Sequence, residues 1–137
     1  MPVKSSNSPV FKWPAREAVE QALSHWATEL VAERPELLRL GVFGSFADGN
    51  WGFGSDLDLV AVISSSAVPF KERRRGWRTE KLPVPADLLV YTMAEWTWLA
   101  AQENRFGRLL RNKVRWLLNR DFPGATSANG AFLDKGG

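Results

Sequence analysis

Asp56 and Asp58 stand two residues apart at the head of an apolar run, Asp56-Leu57-Asp58-Leu59-Val60-Ala61-Val62-Ile63. Residues two apart on an extended strand point the same way, so both carboxylates project from one face over an apolar underside. Two such charges about 5 Å apart repel by roughly 3 kcal/mol at an effective dielectric near 20, a large term against the stability of a small domain. The pair therefore calls for a cation. A divalent ion with hard oxygen ligands meets that need, and Mg²⁺ takes one or two carboxylates and fills its shell with phosphate and water. A third acid, Asp87, lies near the start of another apolar run, Ala86-Asp87-Leu88-Leu89-Val90-Tyr91, where an unpaired carboxylate is costly. If the two strands are neighbours, the three acids form a two-metal cluster. One ion then activates an attacking oxygen, and the other steadies a triphosphate and its pyrophosphate leaving group. Asp87 would ligate the activating ion and accept the proton of the nucleophile.

Ahead of these acids, Gly44 and Ser45 follow the apolar stretch Leu37-Leu38-Arg39-Leu40-Gly41-Val42-Phe43. A glycine at a strand end lets backbone approach a phosphate closely, and a serine hydroxyl with exposed N–H groups can bind its oxygens. The turn lacks the lysine of the Gly-x-x-x-x-Gly-Lys-Ser/Thr phosphate loop. Nor do Gly49, Gly52 and Gly54 reproduce the Gly-x-Gly-x-x-Gly dinucleotide pattern. Gly-Ser or Asp-x-Asp alone carries little information. Their conjunction, with ten residues between Ser45 and Asp56 and a third acid on a later strand, is specific.

The elements that must position these residues are legible in order. Ala15, Val19, Ala22, Trp26 and Leu30 recur every three or four positions, which predicts an amphipathic helix from Pro14 to about Glu33, with Pro35 after its end. His25 lies inside it and reads as helix surface. Strands are expected over Leu37 to Phe43, Asp56 to Ile63 and Ala86 to Tyr91, and Thr92 should cap a helix starting at Met93. A second helical piece is expected over Asn104 to Arg111, followed by a short strand over Val114 to Leu118. Between the second and third strands, Lys71 to Lys81 carries six cations against Glu72 and Glu80, the composition of a solvated loop or of a surface facing a polyanion. Trp51 and Phe53 either stack on a base or pack over the sheet edge. The result is an α/β (α+β) domain with a small mixed β-sheet flanked by helices. Its expected limits are residues 13–120, with flexible segments at 1–12 and 121–137.

The pattern resembles the nucleotidyltransferase superfamily that includes DNA polymerase beta and kanamycin nucleotidyltransferase, and most of all its stand-alone minimal nucleotidyltransferases. Gly44, Ser45, Asp56, Asp58 and Asp87 match the family motif, and Gly49 and Ser55 fall where the family usually has glycine and serine. Asp48 departs from it, standing where many minimal members carry arginine in an Ala-Arg-Gly triplet. The resemblance implies a nucleotidyltransferase fold in which Asp56, Asp58 and Asp87 are catalytic and hold Mg²⁺, two ions in the usual case, while Gly44, Ser45 and Ser55 bind the nucleotide. It also implies transfer of a nucleoside monophosphate, usually AMP from ATP, to an acceptor hydroxyl. Minimal members are similar to antitoxins encoded beside HEPN-domain RNase toxins, so a HEPN-domain protein is the implied partner.

Composition leaves room for this reading and for others. With 45% hydrophobic residues, seven tryptophans and no uncharged apolar run approaching the roughly 18 residues of a membrane span, the sequence reads as globular with no membrane partner. Zero cysteines exclude disulfides and thiolate metal sites. The N-terminus lacks a signal-peptide pattern, and a cytoplasmic location is expected. A formal charge of +3 permits nucleic acid as a partner without requiring it. A chain of 137 residues holds little acceptor-binding surface beside a catalytic core, so a partner protein or a homo-oligomer is expected to supply it. The alternatives are a non-catalytic binder that neutralises its partner by masking it, and an enzyme that modifies a small molecule such as an antibiotic.

Overall fold

The computed structural model describes residues 13–120; the expected flexible segments 1–12 and 121–137 lie outside the described residues. Helix α1 spans Arg16–Glu33 and buries Val19, Leu23, Trp26, Ala27 and Leu30. It begins later than the sequence pattern indicates. Ala15 is extended and acts as the cap, its carbonyl accepting from the N–H groups of Ala18 and Val19, and its side chain is exposed rather than on the apolar face.

Among the described residues four strands form one mixed sheet: β1 (Leu37–Phe43), β2 (Leu57–Ile63), β3 (Ala86–Thr92) and β4 (Arg115–Asn119). Their spatial order is β3-β2-β1-β4, with β1 antiparallel to both β2 and β4, and β2 parallel to β3. Asp56, expected as the first residue of the second strand, sits one residue before it. Pairing starts at Leu57, whose N–H donates to the carbonyl of Pro85 at 2.9 Å.

Alternation along β2 splits the core in two. Leu57, Leu59, Ala61 and Ile63 join the buried cluster of α1, together with Leu88 and Val90 of β3. Val60 and Val62 face the other side, where the helices α3 (Met93–Ala100) and α4 (Arg105–Asn112) contribute buried Ala100 and Leu110. On that second face Arg39 is buried, with its guanidinium 4.3 Å from the ring centre of Trp96 and 5.5 Å from that of Trp116. Thr92 caps α3 as its position predicts: its hydroxyl accepts from Glu95 N–H at 3.2 Å, and Glu95 Oε1 accepts from Thr92 N–H at 2.9 Å.

Two parallel strands cannot be joined by a tight turn, so residues 64–85 must cross over. They do so with two short 3₁₀ turns, Phe70–Glu72 and Thr79–Lys81, rather than a full helix. Trp77 fixes this crossover to the core. It is 1% exposed, its carbonyl accepts from Trp26 Nε1 at 2.8 Å, and the Arg34 guanidinium lies 4.2 Å from its ring centre. Most cations of the crossover are engaged within the chain. Arg78 pairs with Glu33 at 2.7 Å, Lys81 with Glu29 at 3.2 Å and Arg75 with Glu72 at 3.2 Å. Arg73, nearly buried, forms a fork on the Glu95 carboxylate and also donates to the carbonyls of Val68 and Val90. None of the described helices is long and apolar enough to cross a membrane.

Hydrogen bonds from Arg73 hold the Glu95 carboxyl below its ordinary range. A lowered folded-state pKa stabilises the fold above the ordinary carboxylate value and ceases to do so as pH falls through the lowered value. Glu95→Gln is accordingly expected to cost about 1 kcal/mol in urea unfolding at neutral pH, a partly exposed charge-assisted pair being worth no more, with the difference shrinking in acid. An unchanged midpoint at neutral pH would show that Arg73 is held by its two carbonyl partners alone.

Candidate active site

The site is built at one end of the sheet, where β1 runs out and β2 and β3 begin. Phe43 ends β1 opposite Asp58, and the chain then turns through Gly44 into a single helical turn, α2 (Ser45–Asp48). Gly44 has φ +74°, a conformation that side chains rarely adopt, and a Cβ placed there would overlap Oδ2 of Asp58. The backbone conformation thus calls for glycine, and a Cβ would in addition push the Asp58 carboxylate from its place. Phe46 buries the turn, with the Arg16 guanidinium 4.1 Å from its ring centre and the Trp51 ring set perpendicular to it, the two ring centres 5.0 Å apart. Gly49 closes α2 in the left-handed region.

Asp58 and Asp87 are directly opposed in the parallel register of β2 and β3. Neighbouring strands lie about 4.8 Å apart, and residues in register share a face, so the two carboxylates are neighbours. Asp56 precedes Asp58 by one pleat and is exposed. Burial, reinforced by the negative charges of Asp87 and Asp56, pushes the Asp58 carboxyl above its ordinary value. The three acids named from sequence are therefore within electrostatic reach of one another. They are not gathered into a finished cage: among the described residues no three acidic, histidine or cysteine side chains surround a point that would hold an ion. Asp87 Oδ1 instead accepts from Arg74 Nη1 of the crossover at 3.2 Å. As oxygen donors the acids fit a hard divalent cation, which asks for only one or two carboxylates besides phosphate and water.

The remaining residues named from sequence divide. Ser45 starts α2 and is half-buried beside Gly44, whereas the Ser55 hydroxyl accepts from Gly52 N–H at 3.2 Å and closes the loop before Asp56. Trp51 is a packing residue, its Nε1 donating to the Pro14 carbonyl at 3.4 Å. Phe53 is 78% exposed, with its ring 5.3 Å from that of Trp13. His25 lies on the surface of α1, 3.3 Å from Glu29. Arg74 was hidden in a run of cations, and no spacing distinguishes it from Arg73 or Arg75. Only the fold shows which of the three reaches an acid of the site.

A small mixed sheet whose strand ends carry a Gly-Ser turn and three acids is the architecture of a nucleotidyl-transferring domain. The fold is similar to that of a Sulfolobus solfataricus crystal structure assigned as a nucleotidyltransferase, with a TM-score of 0.57, 16% identity and coverage of 77% of this chain and 85% of that one. The sequence profile of the nucleotidyltransferase domain matches residues 26–112, and the chain belongs to that family. It is a transferase by that membership, and nucleotidyl transfer is its general chemistry. No curated protein matches the sequence.

Two outcomes test the geometry. The folded protein holds the Asp58 proton more tightly than the unfolded chain, so stability falls as pH rises from the ordinary carboxylate value through the raised one. Asp58→Asn is expected to raise Tm by about 2–5 °C at neutral pH and to leave it unchanged in acid, as thermal scans across pH would show. Gly44→Ala is expected to cost about 1–3 kcal/mol through its positive φ, plus a further amount that disappears in an Asp58→Ala background. Strict additivity in that double-mutant cycle would mean that the carboxylate does not rest on Gly44.

Proposed function

We propose that the chain is a metal-dependent nucleotidyltransferase that moves a nucleoside monophosphate, AMP from ATP in the expected case, to a hydroxyl on a partner protein. The observation that carries the reading is the opposition of Asp58 and Asp87 across the parallel pair, one pleat beyond Asp56 and against Gly44. In this reading Asp56, Asp58 and Asp87 hold Mg²⁺. Bound there, the metal supplies positive charge to the triphosphate and lowers the pKa of the acceptor hydroxyl. Gly44 and Ser45 bring backbone N–H groups and a hydroxyl to the phosphates, and Ser55 shapes the approach to Asp56. Asp87, the exposed member of the opposed pair, takes the proton of the acceptor hydroxyl. The acceptor oxygen bonds to the α-phosphorus as the bond from that phosphorus to pyrophosphate breaks.

The acceptor follows from the family resemblance rather than from any pocket. A HEPN-domain toxin encoded beside this chain, modified on a tyrosine, is the partner we put forward, and it makes the chain an antitoxin. A nucleoside triphosphate donor and a cysteine-free chain both suit the cytoplasm, where we place the reaction. Two observations favour a second reading. Asp87 is already paired with Arg74 and the Gly44 turn carries the acid Asp48, so the same fold would also serve a chain that neutralises its partner by covering it.

The two readings separate in one experiment. The purified chain, its genetic neighbour and Mg²⁺ are incubated with ATP labelled at the α-phosphate, and label on the neighbour is counted. Wild type is expected to transfer label, and Asp56→Asn and Asp58→Asn are each expected to transfer at least about a hundredfold less, the scale of losing a transition-state charge partner. An unlabelled neighbour that is still neutralised by the double variant Asp56→Ala, Asp58→Ala would replace catalysis with masking.

A further inference from the structure

Arg74 is placed where the site is short of positive charge. The Gly44–Gly49 turn brings no basic side chain and one acid, Asp48, beside three further carboxylates, yet the donor it is proposed to bind is a polyanion. A cation must come from outside the turn, and the two guanidiniums that flank it, Arg16 and Arg115 at 4.1 and 5.7 Å from the Phe46 ring centre, are both paired with Glu20. Of the five ion pairs that the cations of the crossover make among the described residues, four are with glutamates remote from the acid cluster: Arg73 with Glu95, Arg75 with Glu72, Arg78 with Glu33 and Lys81 with Glu29. The fifth, Arg74 Nη1 to Asp87 Oδ1, reaches a site acid.

The backbone at Arg74 is held from both sides. Arg73 is forked onto Glu95 and bonded to the carbonyls of Val68 and Val90, and Trp77, whose N–H donates to the Arg74 carbonyl at 3.4 Å, is buried in the core. The side chain itself is free to move, since Arg74 and Asp87 are each 62% exposed at the side chain. An ion pair so exposed is weak and easily exchanged, whereas a guanidinium that meets a phosphate gains a charge-assisted, two-pronged contact.

We infer that Arg74 is a substrate-binding residue that changes partners. It neutralises Asp87 while the site is open, and it turns to the phosphates of the nucleoside triphosphate when a divalent ion claims that carboxylate. The pair with Asp87 then has two effects of opposite sign: Arg74 competes with a metal ion that arrives alone and assists one that arrives with nucleotide. A residue of merely structural importance would weaken both kinds of binding together. This inference rests on the nucleotidyl transfer proposed above for the same acids.

The test measures two affinities on the full chain, Mn²⁺ alone by electron paramagnetic resonance and ATP in the presence of Mg²⁺ by calorimetry. Arg74→Ala is expected to bind Mn²⁺ ~3-fold more tightly, because a weak exposed competitor is gone, and ATP with Mg²⁺ ~10-fold more weakly, because a charge-assisted phosphate contact is lost. Arg74→Lys is expected to recover part of the ATP affinity as a point charge, while Arg75→Ala, which removes the same charge from the next residue, leaves both affinities near wild type. The role of Arg74 is overturned if wild type binds ATP with Mg²⁺ and Arg74→Ala binds it equally well, if both affinities fall together, or if Arg75→Ala matches Arg74→Ala. A wild type that binds neither Mn²⁺ nor ATP with Mg²⁺ overturns the enzymatic reading, and the role of Arg74 with it.

Discussion

The parallel pairing of β2 with β3 is the constraint from which most of the molecule follows. It sets Asp58 opposite Asp87, so like charges are held side by side by backbone hydrogen bonds that do not depend on the charges. It also dictates the connection between the strands, because a parallel pair must be joined by a segment that leaves one end of the sheet and returns to the other. In this chain that segment is residues 64–85, and the same segment carries the cations. The topology that creates the electrostatic problem therefore carries a compensating charge back to the strand end where the problem lies.

Burial and polarity divide the work along the crossover. Trp77 supplies attachment: a large apolar surface inserted beside α1, with its carbonyl tied to Trp26. Arg73 supplies orientation, since its fork on Glu95 and its bond to the Val90 carbonyl tie the crossover to the edge strand β3 and to the first turn of α3. That contact also occupies a carbonyl on a strand with one neighbour among the described strands, as a protected edge requires. Between these anchors the charged side chains remain in solvent and available for exchange.

The strands and the acids were legible in the sequence because both signals are local. Short apolar runs bounded by serine and proline mark β2 and β3, and the acids at their heads stand out. Thr92 as the cap of α3 was legible for the same reason, since a capping box lies within four residues. Three features were not. The apolar face of α1 includes Leu23 and Ala27, and a count begun at Ala15 missed them because the cap residue still lies outside the helical repeat. Asp56 falls before the strand because pairing begins where Pro85 offers a carbonyl, and that partner is remote in sequence. Trp51 resolved as packing because Phe46 and the carbonyl of Pro14 are both within its reach, a fact of tertiary geometry. The pairing of Arg74 belongs with these: adjacent arginines differ in chemistry only through the direction in which the folded backbone sends them.

The contact between Gly44 and Asp58 has a consequence for how this chain can change over time. The missing Cβ of one residue is the space filled by the carboxylate of the other, across the turn and loop that separate them in sequence. A lineage that kept the acid could lose the glycine only by swinging the carboxylate aside and straining the backbone. One that abandoned the acid for a smaller residue would lift the steric half of the requirement on the glycine, leaving only the backbone conformation to defend it. The two positions are thus inherited as one character, and substitution at Asp58 should come before substitution at Gly44 in any descendant that drifts.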